Sequence, residues 1–171
     1  MDIEIFDAER AARHLERFAD ILRNAVHGGA LVDYILPFEL ETARAYWRGV
    51  IQSVADGERV LICALVGGDL AGTVQLYLSP EPNARHRAEI YKLLVHPAHQ
   101  RQGLGEALMR AAEKEARRHA RTVLLLDTAQ GSTSERIYRR LGWQEVGVVP
   151  RHFVDPHGEP RSSVYMMRFL D

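Results

Sequence analysis

The stretch HQRQGLGEAL at positions 99–108 sets two glycines, Gly103 and Gly105, one residue apart at the mouth of a helix-like pattern. Glycine is costly to order, so a main chain left this bare has a reason to stay bare. A P-loop requires Lys-Ser/Thr directly after its last glycine, but Gly105 is followed by Glu106-Ala107. A dinucleotide fingerprint requires a third glycine where Leu108 stands. What is left is Gln100-x-x-Gly103-x-Gly105 before a helix. Amides there could converge on an anion that the helix dipole favours, make a close packing contact, or simply turn the chain.

Outward from this loop the periodicity sets the element order. AEIYKLLV (88–95) precedes it as a strand stopped by His96-Pro97, and a helix follows from Glu106 to about His119. TVLLLD (122–127) is a continuous apolar strand of the kind covered on both faces, and SERIYRRLGW (134–143) is a short helix ended by Gly142. Toward the N-terminus, RVLICALV (59–66), the turn Gly67-Gly68-Asp69 and LAGTVQLYLS (70–79) form a hairpin. Before it come a short strand at 3–6, one amphipathic helix over Ala8–Val26 and a second over Glu39–Ala55. WQEVGVVP, a turn near Asp155-Pro156-His157-Gly158 and SSVYMMRFL close the chain as a hairpin. Antiparallel hairpins around one strand–helix–strand unit predict a mixed α/β (α+β) fold in a single domain over residues 1–171.

Composition excludes several classes. The chain of 171 residues has 46% hydrophobic residues and a formal net charge of −1, which carries no electrostatic footprint for nucleic acid. Its acidic start lacks a secretory pattern, and its longest apolar run, 61–66, is too short for a bilayer, so a cytoplasmic protein with no membrane partner is expected. Cys63, the single cysteine, lies in that apolar run and reads as an inert thiol. His96-x-x-His99 and His152/His157 form no complete ligand set, and no metal is expected.

Strand 88–95, the Pro97 break, the Gln/Arg-x-x-Gly-x-Gly turn and a downstream strand plus helix carrying Tyr138 occur together. This combination resembles the GNAT acetyltransferase superfamily, whose members move an acetyl group from acetyl-CoA to an amine. The resemblance implies a central, mainly antiparallel sheet of about seven strands flanked by about four helices. By the same resemblance, main-chain groups of Arg101, Gln102, Gly103, Leu104, Gly105 and Glu106 cradle the CoA pyrophosphate. Leu93, Leu94 and Val95 then face the pantetheine arm and the thioester. Further stretches, VHGGA (26–30), RAEIYKLLVHP (87–97), LLLDTAQGS (124–132) and DPHGEP (155–160), resemble the tabtoxin-resistance type of acetyltransferase.

Three side chains are candidates for the chemistry. Glu89 lies in an apolar strand, on one face with Tyr91 and Leu93 by the two-residue period, where an unpaired carboxylate is costly. Asp127 ends strand 122–127, where it could also cap the following turn. The resemblance pairs them as a shared general base, and a carboxylate pair would push one partner upward. Tyr138, otherwise a packing aromatic, takes the family's place for the group that protonates the departing thiolate. Many members carry an asparagine and an alanine where this chain has Gly131 and Ser134, so Ser134 is the expected substitute contact to the cofactor.

These readings imply an acetyl-CoA:amine N-acetyltransferase acting on a small amine, an amino-acid-like compound or toxin, by direct attack in a ternary complex. Two alternatives remain open on sequence alone: a protein N-terminal or lysine acetyltransferase, and a non-catalytic acyl-CoA-binding module. A homodimer is compatible with the resemblance.

Overall fold

The computed structural model describes Met1–Leu170. Its elements run β1 (Asp2–Phe6), α1 (Ala8–Arg13), α2 (Leu15–His27), α3 (Leu40–Ala55), β2 (Arg59–Val66), β3 (Asp69–Leu78), β4 (Arg87–Val95), α4 (Leu104–Arg118), β5 (Val123–Ala129), α5 (Thr133–Arg140), β6 (Gln144–Val154) and β7 (Pro160–Phe169), with a 3-10 turn at Pro97–His99 between β4 and α4. All seven strands join one sheet in the order β1-β2-β3-β4-β5-β7-β6. Only β4 and β5 are parallel. The mixed, mainly antiparallel sheet agrees with expectation.

The helix count does not. The periodic stretch 8–26 is two helices, making five in all, because His14 interrupts it. The His14 ring nitrogen Nδ1 contacts the Arg10 carbonyl at 2.9 Å while the ring packs 5.0 Å from Phe6, and its amide bonds the Ala11 carbonyl at 3.0 Å. A single tightened turn of this kind leaves the apolar stripe nearly in phase, so periodicity alone does not reveal it. The fourth helix begins at Leu104 rather than Glu106, with Gly103 at its N-cap at φ +82°. The hairpin turn narrows to Gly67-Gly68, both at positive φ, between the paired Val66 and Asp69, as a two-residue turn requires.

Alternation divides the sheet's side chains between two cores. Val60, Ile62, Ala64, Ala88, Ile90, Leu124, Leu126, Val164 and Met166 pack with Leu104, Leu108, Met109 and Ala112 of α4 and Tyr138 of α5. Leu61, Cys63 and Leu65 instead meet Phe18, Leu22, Ala43 and Trp47 from α2 and α3. Fully burying one such leucine or phenylalanine contributes about 1.5–3 kcal/mol, so these two layers hold the sheet from both sides. No helix among the described residues is long and apolar enough to cross a membrane.

One irregularity positions everything that follows. Across β3 and β4 the register runs Gln75↔Tyr91 and then Thr73↔Leu94, so Val74 faces both Lys92 and Leu93. This is a β-bulge, with Lys92 at φ +48°. The extra residue reverses the alternation beyond it. Leu93 and Val95 pack toward α4, whereas Leu94 packs toward α2 and α3. Leu93 therefore does not share a face with Glu89 and Tyr91, contrary to the two-residue expectation.

Candidate active site

Strands β4 and β5 pair only from Arg87↔Val123 to Glu89↔Leu125, although β4 continues to Val95 and β5 to Ala129. Beyond Glu89 the two strands part, and the β4 edge turned toward β5 has no strand partner. The opening is a cavity of about 1190 Å³ between Tyr91–Val95 on one side and Asp127–Ala129 with α5 on the other. The N-terminus of α4 and the loop after α2 complete the lining.

At the α4 end, main-chain donors dominate. Gln100 Nε2 donates to the Val95 carbonyl at 3.2 Å and ties the loop to the end of β4. Arg101 at φ +61° and Gly103 at φ +82° then turn the chain into α4. Among the described residues, the amides of Arg101 to Glu106 have no hydrogen-bond acceptor in the protein. Unpaired amides at the start of a helix are the arrangement that receives a phosphate. The Glu106 side chain does not oppose an anion there, because Arg110 and Arg140 bind its carboxyl and hold it below the usual range. The two glycines have different reasons. At Gly103 a Cβ would meet no protein atom, but the backbone sits where L side chains are strained. At Gly105 a Cβ would press on Ile137 Cδ1 at 3.3 Å, so this residue also lets α5 pack against α4.

The helix carrying Tyr138 is fixed by a reciprocal cap. Ser132 Oγ accepts from the Glu135 amide at 3.0 Å, and Glu135 Oε2 accepts from the Gly131 amide at 2.6 Å. The Gly131 bond is the chief reason the Glu135 carboxyl lies below its ordinary value. This Ser-x-x-Glu capping box was legible in the sequence, and the positive φ of Gly131, +79°, suits the glycine that stands in place of the usual asparagine. Tyr138 lines the cleft and is 5% exposed. Burial, foremost, pushes its phenol well above the ordinary range; the nearby Asp127 charge adds to this and the Ser134 hydroxyl opposes it. Ser134 thus reaches Tyr138 as well as the cleft.

Asp127 also lines the cleft, and Ser163 Oγ donates to its Oδ2 at 2.7 Å. Glu89 is placed differently. It lies at the last β4–β5 pair, just outside the cleft lining, where Tyr91 Oη donates to its Oε2 at 2.6 Å and Arg87 stands 3.8 Å away. No hydrogen bond joins the two carboxylates among the described residues. Tyr91, on the cleft wall, lies between Glu89 and the opening, and its phenol is raised by burial and then by its bond to Glu89. Sequence reasoning passed over Tyr91, although the two-residue period put it on Glu89's face. Cys63 is wholly buried, with its thiol pushed up by burial, and is no nucleophile.

Residues 28–33 of the loop after α2 and Phe153 and Arg161 of the β6–β7 hairpin also line the cleft. The Leu36 amide donates to the Pro156 carbonyl at 2.9 Å, joining that loop to the β6–β7 turn. That turn is stapled by Asp155, which accepts from the His157 and Glu159 amides at 2.9 and 3.1 Å and from Arg161 Nη2 at 2.8 Å. Trp47 is fully buried in the core, whereas the Tyr46 hydroxyl exchanges hydrogen bonds with Gln75 and burial pushes it up to about 12.

Solved structures share this architecture. The yncA protein of Salmonella typhimurium, solved with its cofactor acetyl-CoA, is 22% identical over 100% of this chain and 94% of its own, with a TM-score of 0.78. A ribosomal-protein-alanine N-acetyltransferase from Brucella melitensis is 21% identical over 99% and 100% of the two chains, with a TM-score of 0.81. An aminoglycoside 6'-acetyltransferase type Ii is 19% identical over 100% and 98%, with a TM-score of 0.72. At these identities the likeness establishes the fold. Acetyl-CoA is the cosubstrate of such enzymes. Residues 24–143 match the acetyltransferase (GNAT) family, and the chain, with its splayed strands and unpaired α4 amides, belongs to that family of acyltransferases.

Proposed function

We propose that the protein is an acetyl-CoA-dependent N-acetyltransferase whose acceptor, a small amine, attacks the thioester directly in a ternary complex. What supports a small acceptor is that the loop after α2 and the β6–β7 hairpin both line the cleft and are tied together by the Leu36–Pro156 hydrogen bond. A protein N-terminus or lysine would need an open groove there. The tabtoxin-resistance resemblance narrows the expected class to amino-acid-like compounds, toxins among them.

The residues fit the cosubstrate. Amides of Arg101 to Glu106 would bind the diphosphate, and the unpaired β4 edge at Leu93, Leu94 and Val95 would hold the pantetheine arm and aim the thioester carbonyl. Bound there, the cosubstrate supplies an activated acetyl group. A C–N bond forms to the acceptor, the C–S bond breaks, and one proton moves from nitrogen to sulfur overall. Asp127, on the cleft wall, receives the proton of the attacking amine, with Glu89 coupled through Tyr91 or water. Main-chain N–H groups of β4 stabilise the carbonyl oxygen as it gains charge.

The role of Tyr138 follows from its burial. A thiol titrates near ~8.5, and a phenol held above its usual ~10 is the weaker acid, so free transfer of its proton to a formed thiolate is uphill. Tyr138 instead stays protonated and donates a hydrogen bond to sulfur while charge builds, giving up its proton only as the amine's proton replaces it. This sharpens the simple general-acid expectation.

Thiol release from acetyl-CoA across a panel of small amines and peptide N-termini tests the reading. Turnover with small amines alone supports it. Turnover confined to peptides overturns the acceptor class, and acetyl-CoA binding without turnover on any acceptor overturns the enzyme.

A further inference from the structure

Lys92 occupies the cleft in a way the transfer chemistry leaves unexplained. It is the bulge residue of β4, its side chain only 7% exposed, and it lines the cavity beside Tyr91. Its ammonium stands 5.7 Å from the centre of the Tyr46 ring and is ion-paired to Asp33. The two partners are unlike. Asp33 is 80% exposed at its side chain, lies on the loop between α2 and α3 at φ +72°, and also faces the cavity. An enclosed cation is thus neutralised by a carboxylate that leaves it at little cost in solvation, since Asp33 is already wet. Asp127, the proposed acceptor of the amine's proton, lines the same cavity from β5.

We infer that Lys92 is the recognition site for a carboxylate on the acceptor, and that Asp33 holds its place until the acceptor enters. An α-amino acid or a close analogue has the required chemistry, with an amine for Asp127 and an anionic group for Lys92. The bulge at Lys92 explains how one residue reaches this position. It lies on β4 three residues past the last β4–β5 pair, where the strands have already parted, and Lys92 lines the space between them. Exchange of Asp33 for the ligand carboxylate keeps the buried cation paired throughout, which an enclosed ammonium requires.

This inference rests on the small-amine reading, and the test separates the two. Thiol release from acetyl-CoA is followed with α-amino acids and, for each, its primary amide and decarboxylated amine. The acids should exceed both counterparts at least tenfold in kcat/KM. Lys92→Met should erase that ratio, Lys92→Arg should restore part of it, and Asp33→Ala should lower KM for the acids several-fold. Thermal melts and acetyl-CoA titration establish that each variant is folded. Equal kcat/KM for the three forms, or a ratio unmoved by Lys92→Met in a folded variant, overturns the carboxylate site while leaving the enzyme intact. Acetyl-CoA binding with no turnover of any amine overturns the small-amine reading, and the Lys92 site falls with it.

Discussion

In the proposed mechanism the cosubstrate is met by one continuous run of main-chain amides, Arg101 to Glu106, whereas the acceptor is met by side chains from distant segments. Lys92 comes from β4, Asp33 from the loop after α2 and Asp127 from β5. The first site needs only a local conformation, and glycine supplies it. The second needs the whole sheet in register, a bulge, and a loop-to-turn hydrogen bond. A shared donor and a variable acceptor are what such a division would serve: one end is written in a few adjacent residues, and the other can be rebuilt by changing loops.

Several measurements would break or sharpen that contrast. Tyr138→Phe removes a donor aimed at the junction of the two ends, and kcat should fall about 10²-fold or more. The dissociation constant for CoA should change less than about threefold, because this phenol acts on the sulfur rather than on the diphosphate. Equal turnover by the variant would remove Tyr138 from the mechanism. Because burial raises its phenol, the wild-type kcat should show no loss from this group as pH rises to about 10.

Asp127→Asn and Glu89→Gln belong to the acceptor side and should lower kcat/KM at neutral pH by about 10–10²-fold each, with acetyl-CoA affinity retained. Wild-type kcat/KM in both variants across pH would dismiss the shared-base assignment. Gly103→Ala strikes the donor side. Forcing an L side chain to φ +82° costs about 1–2 kcal/mol, so a lower Tm and weaker CoA binding are expected. Gly105→Ala, at an ordinary φ with only Ile137 in the way, should cost less. If Gly105→Ala proved the worse in both assays, the two glycines would have exchanged roles.

The smallest effect concerns the β6–β7 turn. Arg161, foremost, holds the Asp155 carboxyl below its ordinary value. A depressed carboxylate contributes stability that is present above the usual range near ~4 and is lost as pH falls through the lowered value. Asp155→Asn should therefore flatten the fall in Tm below about pH 4 and leave Tm near pH 7 lower than that of the wild type. An unchanged acid limb would show that the staple does not bear on stability.

How far the sequence could be read follows the same division. The Gly-x-Gly loop, the hairpin at Gly67-Gly68 and the strand carrying Glu89 are local patterns, and the structure has them where periodicity put them, save that α4 starts two residues earlier. The break at His14 escaped because a tightened turn keeps the apolar phase. The bulge at Lys92 escaped because no glycine or proline marks it, and it moved Leu93 to the other face. The pairing of Lys92 with Asp33, and the hydrogen bond from Leu36 to Pro156, join residues far apart in the chain. Nothing in either segment alone announces the partner. The Ser132–Glu135 capping box is the opposite case, a local signal that could have been read.

Calorimetric titration of the folded protein with acetyl-CoA, CoA and acetyl-pantetheine measures the main-chain diphosphate site most directly. Acetyl-CoA and CoA should bind one per chain and compete, and acetyl-pantetheine, which lacks the diphosphate, should bind at least about 100-fold more weakly, a difference of about 2.7 kcal/mol. No heat with either CoA species, or equal affinity for all three, would contradict the account at its foundation.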